Sequence, residues 1–443
     1  MSDASQGAFP DAIGLEALDS AASWQQRYQQ SLMGVFGTPQ ELLTHGSGCW
    51  VTDSTGRKLL DMLAGIAVNA LGHAHPALVK GISDQARQLI HVSNLFTSVP
   101  QMRLAEMLIN AAEAPVGSRV FFANSGSEAN EAALKAVLRH REHTGKQRIL
   151  ALEGGFHGRT LGALSLTHKP AFRQPFGELI PGVEFLPFDD LTALEEAFAG
   201  TGHPTGDIAG IFLEPIQGEA GIRPLSPQYL RQARQLTRQH GALLVYDEVQ
   251  TGIGRTGEWF RFHGVARELA SVDTEGAALR AELAPDLMTL AKGLGSGVPI
   301  GALVAFGPQN GTLLGAGQHG STFGGNPLAA LAGQITLETI QSEELLTNAH
   351  RVGEQLAGQL RNLPEVAQVR QFGLHIGVDL AAAAFGHRQA PAKDLVTTAR
   401  EDHQLIINAT GEYTLRLAPP LILSADEAQI FLTRFTAALK ELV

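Results

Sequence analysis

The sequence predicts an α/β fold: a large domain with a mostly parallel central sheet, plus a smaller α+β domain. Three observations carry that expectation. From about residue 115, short apolar runs alternate with longer helical stretches, the pattern of successive βα units. Most of the runs end at a polar or Gly-rich turn. Glycine, at 49 of 443 residues, exceeds its usual share of about 7%, as many tight turns and close backbone approaches require. The length has room for two or three domains whose cores need no disulfide or metal staple.

The elements follow in order. Residues 1–25 read as a loose arm. Gly48 to Leu60 reads as a hairpin turning at Asp53-Ser54-Thr55-Gly56. A helical stretch follows His75-Pro76 and runs through Ile90. Strands are expected at Arg119–Ala123, Arg148–Leu152, Gly210–Leu213, Ala242–Tyr246, Leu287–Leu290 and Ala302–Phe306. After Pro327 the chain turns helical, over Leu328–Glu344 and Glu343–Leu360. A short α+β tail then ends in a helix over Asp426–Leu442. That organisation divides the chain into an N-terminal arm with part of the small domain (1–65), a large domain (66–330) and a C-terminal small domain (331–443).

Composition excludes several classes of function. The formal charge of −11 is the opposite of the basic footprint that nucleic-acid binding needs and is repelled by an anionic membrane surface. A single cysteine, Cys49, rules out an intramolecular disulfide framework and a thiolate zinc cluster. No apolar run reaches the roughly 18 residues of a membrane span. The acidic start, MSDASQGAFPDAIGLEALDS, lacks the basic and apolar regions of a secretory signal. The cytoplasm is the expected compartment.

In parallel α/β sheets ligands collect at the carboxyl ends of the strands, and four such ends stand out. At the first, Phe121-Phe122-Ala123 runs into Asn124-Ser125-Gly126-Ser127 and a helix beginning near Ser127. A helix N-terminus with free N–H groups suits a phosphate; the same pattern also makes an ordinary Ser-capped turn. At the second, Asp247, Glu248 and Gln250 follow a buried strand, and Asp247 is placed to meet a ligand from beneath. A helix cap is the other reading; a metal site lacks a companion set of His ligands. At the third, Lys292 directly follows an apolar strand, where Lys is rarely found unless paired or employed. Desolvation makes such an amine nucleophilic and suited to an aldehyde; a surface loop lysine is the alternative. At the fourth, Glu153-Gly154-Gly155-Phe156-His157-Gly158-Arg159 places an aromatic ring between glycines, with an arginine able to clamp a carboxylate. His157 is a ligand contact or a packed loop residue. Together the four ends supply the parts a pyridoxal phosphate enzyme needs: phosphate cradle, aldehyde-capturing lysine, acid for the ring nitrogen and stacking ring.

From about Gly46 to the C-terminus the chain resembles the class III aminotransferases, and among them the acetylornithine aminotransferases. The segments LAGIAVNALGHAHP, FFANSGSEANEAALK, GGFHGRT, EPIQGEAG, DEVQTGIGRTG, TLAKGLG, STFGGNP and LRLAPPL stand in the family's order. The resemblance implies the pyridoxal-phosphate-dependent transferase fold of type I, with the cofactor in the 66–330 domain. By position, it implies that Lys292 binds the cofactor aldehyde and moves the catalytic proton, and that Asp247 pairs with the ring nitrogen. Gln250 would bond the ring oxygen, with Val249 below the ring and Phe156 above. Gly126 and Ser127 would hold the phosphate, joined by Thr322 of a neighbouring subunit, which implies a homodimer with shared sites. On the substrate side it implies Arg159 for one carboxylate, Arg416 for the α-carboxylate of glutamate or 2-oxoglutarate, the neighbouring Ser321, and Glu219 as an acid that pairs with Arg416 and releases it. No metal is expected.

The activity so implied is transfer of the terminal amine of N2-acetyl-L-ornithine to 2-oxoglutarate. Ornithine aminotransferases carry a Tyr, for the free α-amine, where this chain has Ile66; GABA aminotransferases also have Ile there. Succinylornithine, N-succinyl-diaminopimelate, ornithine and GABA remain neighbouring substrate readings. Related isomerases and decarboxylases have no use for a two-substrate Glu219–Arg416 gate. Two departures stand out. Residues 266–284, ARELASVDTEGAALRAELA, form an insertion expected to loop outward as a helical surface excursion and to leave Asp247 and Lys292 in place, with its effect on entry to the site left open. Phe372 replaces a residue that is usually basic.

Overall fold

The computed structural model describes residues 21–270, 276–386 and 388–443. Its centre is a seven-stranded sheet: β1 (Arg119–Ala123), β2 (Arg148–Leu152), β3 (Val183–Leu186), β4 (Ile208–Leu213), β5 (Leu243–Asp247), β6 (Leu287–Leu290) and β7 (Gly301–Ala305). The order across the sheet is β1-β7-β6-β5-β4-β2-β3. Every residue of β4, β5 and β6 is buried, as expected of strands covered on both faces.

Two features depart from the sequence expectation. β7 runs antiparallel to both β6 and β1. Residues 291–300 join β6 to β7, fewer than the dozen or so that a parallel crossover takes, so the chain simply turns back. β3 escaped notice because it is a half-buried edge strand interrupted by Glu184, which pairs with Arg148 of β2 at 2.7 Å.

Helix α1 (Gly126–Thr144) lies on the sheet through Ala129, Ala132, Ala133, Ala136 and Val137, small side chains that let it sit close. Ser125 caps it by accepting from the Glu128 N–H, and Gly145 ends it in a left-handed conformation, φ 74°. The other expected helices lie at Pro76–Gln88, Pro327–Ser342, Leu345–Leu360 and Ala425–Leu442. The last carries a reciprocal cap between Ser424 and Glu427. Part of the expected N-terminal arm is ordered: Ala21–Ser31 is a helix anchored by buried Trp24. Residues 1–20 lie outside the described residues.

The hairpin forms from Trp50–Asp53 and Lys58–Asp61. Asp53 builds its turn by accepting from the N–H groups of Thr55 and Arg57. Lys58–Asp61 then pairs in parallel with Leu405–Ile406, so the start of the chain shares a sheet with a strand from near its end. A second small sheet contains Val366–Phe372, His375–Leu380, Thr414–Leu417 and Asn408–Ala409. Among the described residues no helix is long and apolar enough to cross a membrane.

The described parts of the insertion pack back on the molecule rather than looping outward; residues 271–275 lie outside the described residues. Ala266–Leu269 completes a helix begun at Arg261, and Gly276–Leu283 forms another. Leu279 and Leu283 are buried in the main core because the Ala-rich helix presents both to the same side. Arg280 reaches Glu113 at 2.9 Å and Glu282 reaches Arg231 at 2.8 Å. The segment leads into Leu287, at the amino end of β6, whereas Asp247 pairs with Thr289 toward the carboxyl end. Its described parts therefore lead into the end of β6 opposite the one that holds the site. Phe372 is partly buried, its ring 4.6 Å from the guanidinium of Arg261, which pairs with Glu268. Truncating Leu283 to Ala removes a fully buried side chain and is expected to lower unfolding free energy by about 2–5 kcal/mol in a denaturant titration, with ligand binding at the cavity unchanged.

Candidate active site

The carboxyl ends of β1, β2, β4, β5 and β6 converge on a cavity of about 330 Å³. Asp247 ends β5 and is 5% exposed. Its Oδ2 accepts from His157 Nδ1 and from Asn130 Nδ2, both at 2.8 Å, and its Oδ1 accepts from the Val249 N–H at 3.1 Å. Asn130 is oriented in turn by Thr289, whose hydroxyl donates to Asn130 Oδ1 at 2.9 Å. His157, which the sequence left open between two readings, therefore stands behind the acid. Burial opposes its protonation, but the hydrogen bond and charge of Asp247 prevail and raise its pKa.

Lys292 follows β6 with φ 43°, a left-handed conformation that is strained for a side-chain-bearing residue. Its side chain lines the cavity. Among the described residues its amine has no hydrogen-bond or ion-pair partner. Burial lowers its pKa and Arg416 adds to that, against the opposing charges of Glu219, Asp247 and Glu214. The result is an amine biased toward its neutral, nucleophilic form.

At the end of β1, Ser125, Gly126 and Ser127 line the cavity at the N-terminus of α1. A Cβ on Gly126 would stand 2.8 Å from Val249 Cγ1, so the close approach of α1 to the cavity floor requires glycine there. Phe156 and Val249 line the same space. Phe156 sits edge-on to Phe172, and the Arg159 guanidinium lies 3.5 Å from the centre of the Phe172 ring. Arg159 itself is exposed and, among the described residues, has no carboxylate partner.

The other arginine is buried. Arg416 is 2% exposed. Its Nη1 donates to Glu219 at 2.5 Å and to Gln250 Oε1 at 3.3 Å, and its Nη2 donates to Asn408 at 2.9 Å. The Glu219 side chain is 38% exposed, so one end of the pair is fixed and the other has open space beside it. Burial works against the Glu219 charge, but Arg416 outweighs it and lowers the pKa.

Glu214, after β4, was not singled out from the sequence. Its carboxyl accepts from the N–H of Phe156 at 2.8 Å and of Gly218 at 3.4 Å, tying the aromatic loop to the loop of Glu219. Ser321 and Thr322 stand apart from the cavity of their own chain. Ser321 Oγ accepts from Asn124 Nδ2 and from the Gly324 N–H, both at 3.0 Å, and Thr322 is exposed. Asn130, Asn408 and His375 also contribute, and nothing in their local sequence marks them. Among the described residues no group of three or more His, Cys, Asp or Glu side chains is arranged to hold a metal ion.

Comparison with known proteins agrees with this geometry. The pattern of the family "Aminotransferase class-III" matches residues 37–439. The chain is 45% identical over 420 residues to an acetylornithine aminotransferase of Bifidobacterium longum, covering 92% of this chain and 93% of the relative. It is 44% identical over 429 residues to that of Corynebacterium efficiens, covering 96% and 98%. Among solved structures, an ornithine aminotransferase from Toxoplasma gondii superposes with a TM-score of 0.84 at 28% identity, covering 96% of this chain and 97% of that one. An N-acetylornithine aminotransferase from Stenotrophomonas maltophilia superposes at 0.74 with 35% identity, covering 92% and 98%. The chain belongs to the class-III aminotransferase family.

Glu214 gives a pH-dependent test of this geometry. Burial, helped by the charges of Asp247 and Glu219 and opposed by His157, raises its pKa from 4.5 to about 7. The folded state thus holds a proton that the unfolded state has released. This contribution to stability is full below pH 4.5 and is lost as the pH rises through 7. Subtracting the stability-against-pH curve of Glu214→Gln from that of the unaltered protein is expected to isolate a downward slope across that window.

Proposed function

We propose that this protein transfers the terminal amine of N2-acetyl-L-ornithine to 2-oxoglutarate, giving N-acetyl-L-glutamate 5-semialdehyde and L-glutamate, with pyridoxal 5′-phosphate as the carrier. This is a step of arginine biosynthesis. The observation that carries the reading is the Arg416–Glu219 pair, buried at its arginine end and open at its acid end, beside the cavity shared by Lys292 and Asp247.

The cavity suits the carrier. A helix N-terminus with Ser127 beside it fits a phosphate, Phe156 and Val249 offer apolar walls for a flat ring, and Lys292 offers an amine with no other partner among the described residues. When bound, pyridoxal phosphate supplies an aldehyde for the amine and a ring that accepts electrons released at the carbon bearing it. Asp247, backed by His157 and Asn130, holds a proton on the ring nitrogen. Lys292 would hold the aldehyde and, once the substrate amine has displaced it, would carry a proton between the substrate carbon and the carrier. Gln250 donates to the ring oxygen, and Gly126 and Ser127 bind the phosphate.

The two substrates are told apart by charge. While the amine donor is bound, Glu219 neutralises Arg416. When 2-oxoglutarate enters, Arg416 takes its α-carboxylate, Glu219 turns toward the open side, and Arg159 takes the distal carboxylate. Ile66 lies in a turn, Ala64–Ala67, whose four residues all have left-handed φ between 51° and 67°. Asp61 holds that turn by accepting from the N–H groups of Leu63 and Ala64. An apolar side chain there offers nothing to a free α-amine and leaves room for an acylated one. Thr322 completes the phosphate site of a second copy, so the protein works as a homodimer. Its exposure, and the exposed apolar surface of nearby Leu95, Phe96 and Phe323, support that assembly.

The test is absorbance of the cofactor-loaded protein. N-acetylornithine is expected to bleach the visible band at least about tenfold faster than ornithine or GABA, a difference of roughly 1.4 kcal/mol in barrier. Faster bleaching by ornithine or GABA discards the substrate. Lys292→Ala is expected to remove the lysine-bound band and reduce turnover by about 10²–10⁴-fold; a band that survives this change overturns the cofactor assignment. Glu219→Gln is expected to slow the N-acetylornithine half-reaction by about tenfold while sparing the reaction with glutamate, because Arg416 is then left unneutralised beside an amine donor that has no carboxylate for it.

A further inference from the structure

His375 begins the strand that pairs with Thr414–Leu417, with Gly377 opposite Arg416. It is fully buried, and its Nε2 lies 3.0 Å from Gln250 Oε1. That oxygen also receives Arg416 Nη1 at 3.3 Å. A guanidinium can only donate, so the amide oxygen must face the arginine and the Gln250 NH₂ must face away from it. His375 Nε2 must then be a donor as well. Burial, with the positive charges of Arg255, Arg416 and Lys292, keeps the ring neutral. A neutral ring donating from Nε2 leaves Nδ1 as a bare acceptor, and Nδ1 is buried without a partner among the described residues. An apolar side chain of similar size would fill the space with no such orphan, so the bond to Gln250 is what the imidazole offers here. Gly218 shapes the other side: a Cβ there would stand 1.9 Å from Gln250 Oε1, so the amide occupies space that only glycine leaves free.

We propose that His375 is a positioning residue that keeps the Gln250 amide in its orientation when Arg416 is drawn onto a dicarboxylate. The proposal rests on the two-substrate reading above. While Arg416 pairs with Glu219, two donors hold the amide oxygen and His375 is partly redundant. Once a substrate carboxylate takes the Nη1 of Arg416, His375 is the donor that remains on the amide oxygen, and it keeps the Gln250 NH₂ on the side away from the arginine. His375 therefore matters more for the dicarboxylate half-reaction than for the amine half-reaction.

The test uses the full-length, cofactor-loaded protein. His375→Leu and His375→Met remove the donor, and His375→Gln keeps one. The two half-reactions are followed separately with N-acetylornithine and 2-oxoglutarate, and glutarate, an unreactive dicarboxylate, is titrated by calorimetry. Loss of one buried hydrogen bond is expected to raise the KM for 2-oxoglutarate and the Kd for glutarate by about tenfold, with the amine half-reaction altered less than about twofold. His375→Gln is expected to restore most of the loss. In a Gln250→Ala background, adding His375→Leu is expected to change neither half-reaction further, because the residue acts through that amide. Equal losses in both half-reactions, no loss in either, or a full effect that persists without Gln250 overturns the proposal. Failure of the unaltered protein to respond to N-acetylornithine instead overturns the substrate reading, and the glutarate comparison is still read on its own.

Discussion

Asp247 places a carboxylate at the end of a fully buried strand, where an uncompensated charge costs several kcal/mol, and much of the site is organised by the need to compensate it. His157 comes from the loop after β2, Asn130 from α1, and the Val249 N–H from the turn after β5 itself. Thr289 of β6 orients Asn130. Four separate parts of the chain are thus brought into register by one anion, and the cavity between them takes its shape from that. The same acid helps hold the Glu214 carboxyl toward its neutral form, and that group anchors the loops of Phe156 and Glu219.

A second charge problem is solved differently. Arg416 is as deeply buried as Asp247, but its counter-ion is half-exposed. A fully buried pair with no solvent outlet stays closed, whereas a pair with one wet partner separates at modest cost once another anion arrives. Asn408 and Gln250 accept from the arginine beside Glu219, and His375 bonds the same Gln250 oxygen. Rigidity around Asp247 and exchangeability around Arg416 are what a two-substrate reaction in one cavity demands.

Much of this was legible in the sequence because strand ends advertise themselves. Asp247, Lys292 and the Ser-Gly-Ser turn each follow an apolar run, and the α/β rule sends the reader to those positions. Arg416 and Glu219 were legible only through the family segments around them. The residues that support the site were not legible, for a physical reason: Asn130, Glu214 and His375 gain their roles from partners far away in the chain. Local pattern also failed for β3, where Glu184 interrupts the apolar run because its partner, Arg148, lies on the neighbouring strand. It failed for β7, whose direction is set by the length of a loop and not by its own composition. The insertion looked like a surface excursion because its charges are visible in sequence, while the burial of Leu279 and Leu283 depends on the core they meet.

The parallel pairing of Lys58–Asp61 with Leu405–Ile406 has a consequence for how the chain is made. A protein emerges from the ribosome from its N-terminus, and its domains tend to fold as they appear. All seven strands of the central sheet lie between residues 119 and 305, so that sheet can form while synthesis continues. The small sheet at the start of the chain cannot be completed until residue 405 has been added. Its first strands wait through most of translation with an unpaired edge, the kind of surface that invites wrong partners. Lys58, charged and exposed at the start of its strand, suits that wait, and residues made long after it complete the sheet.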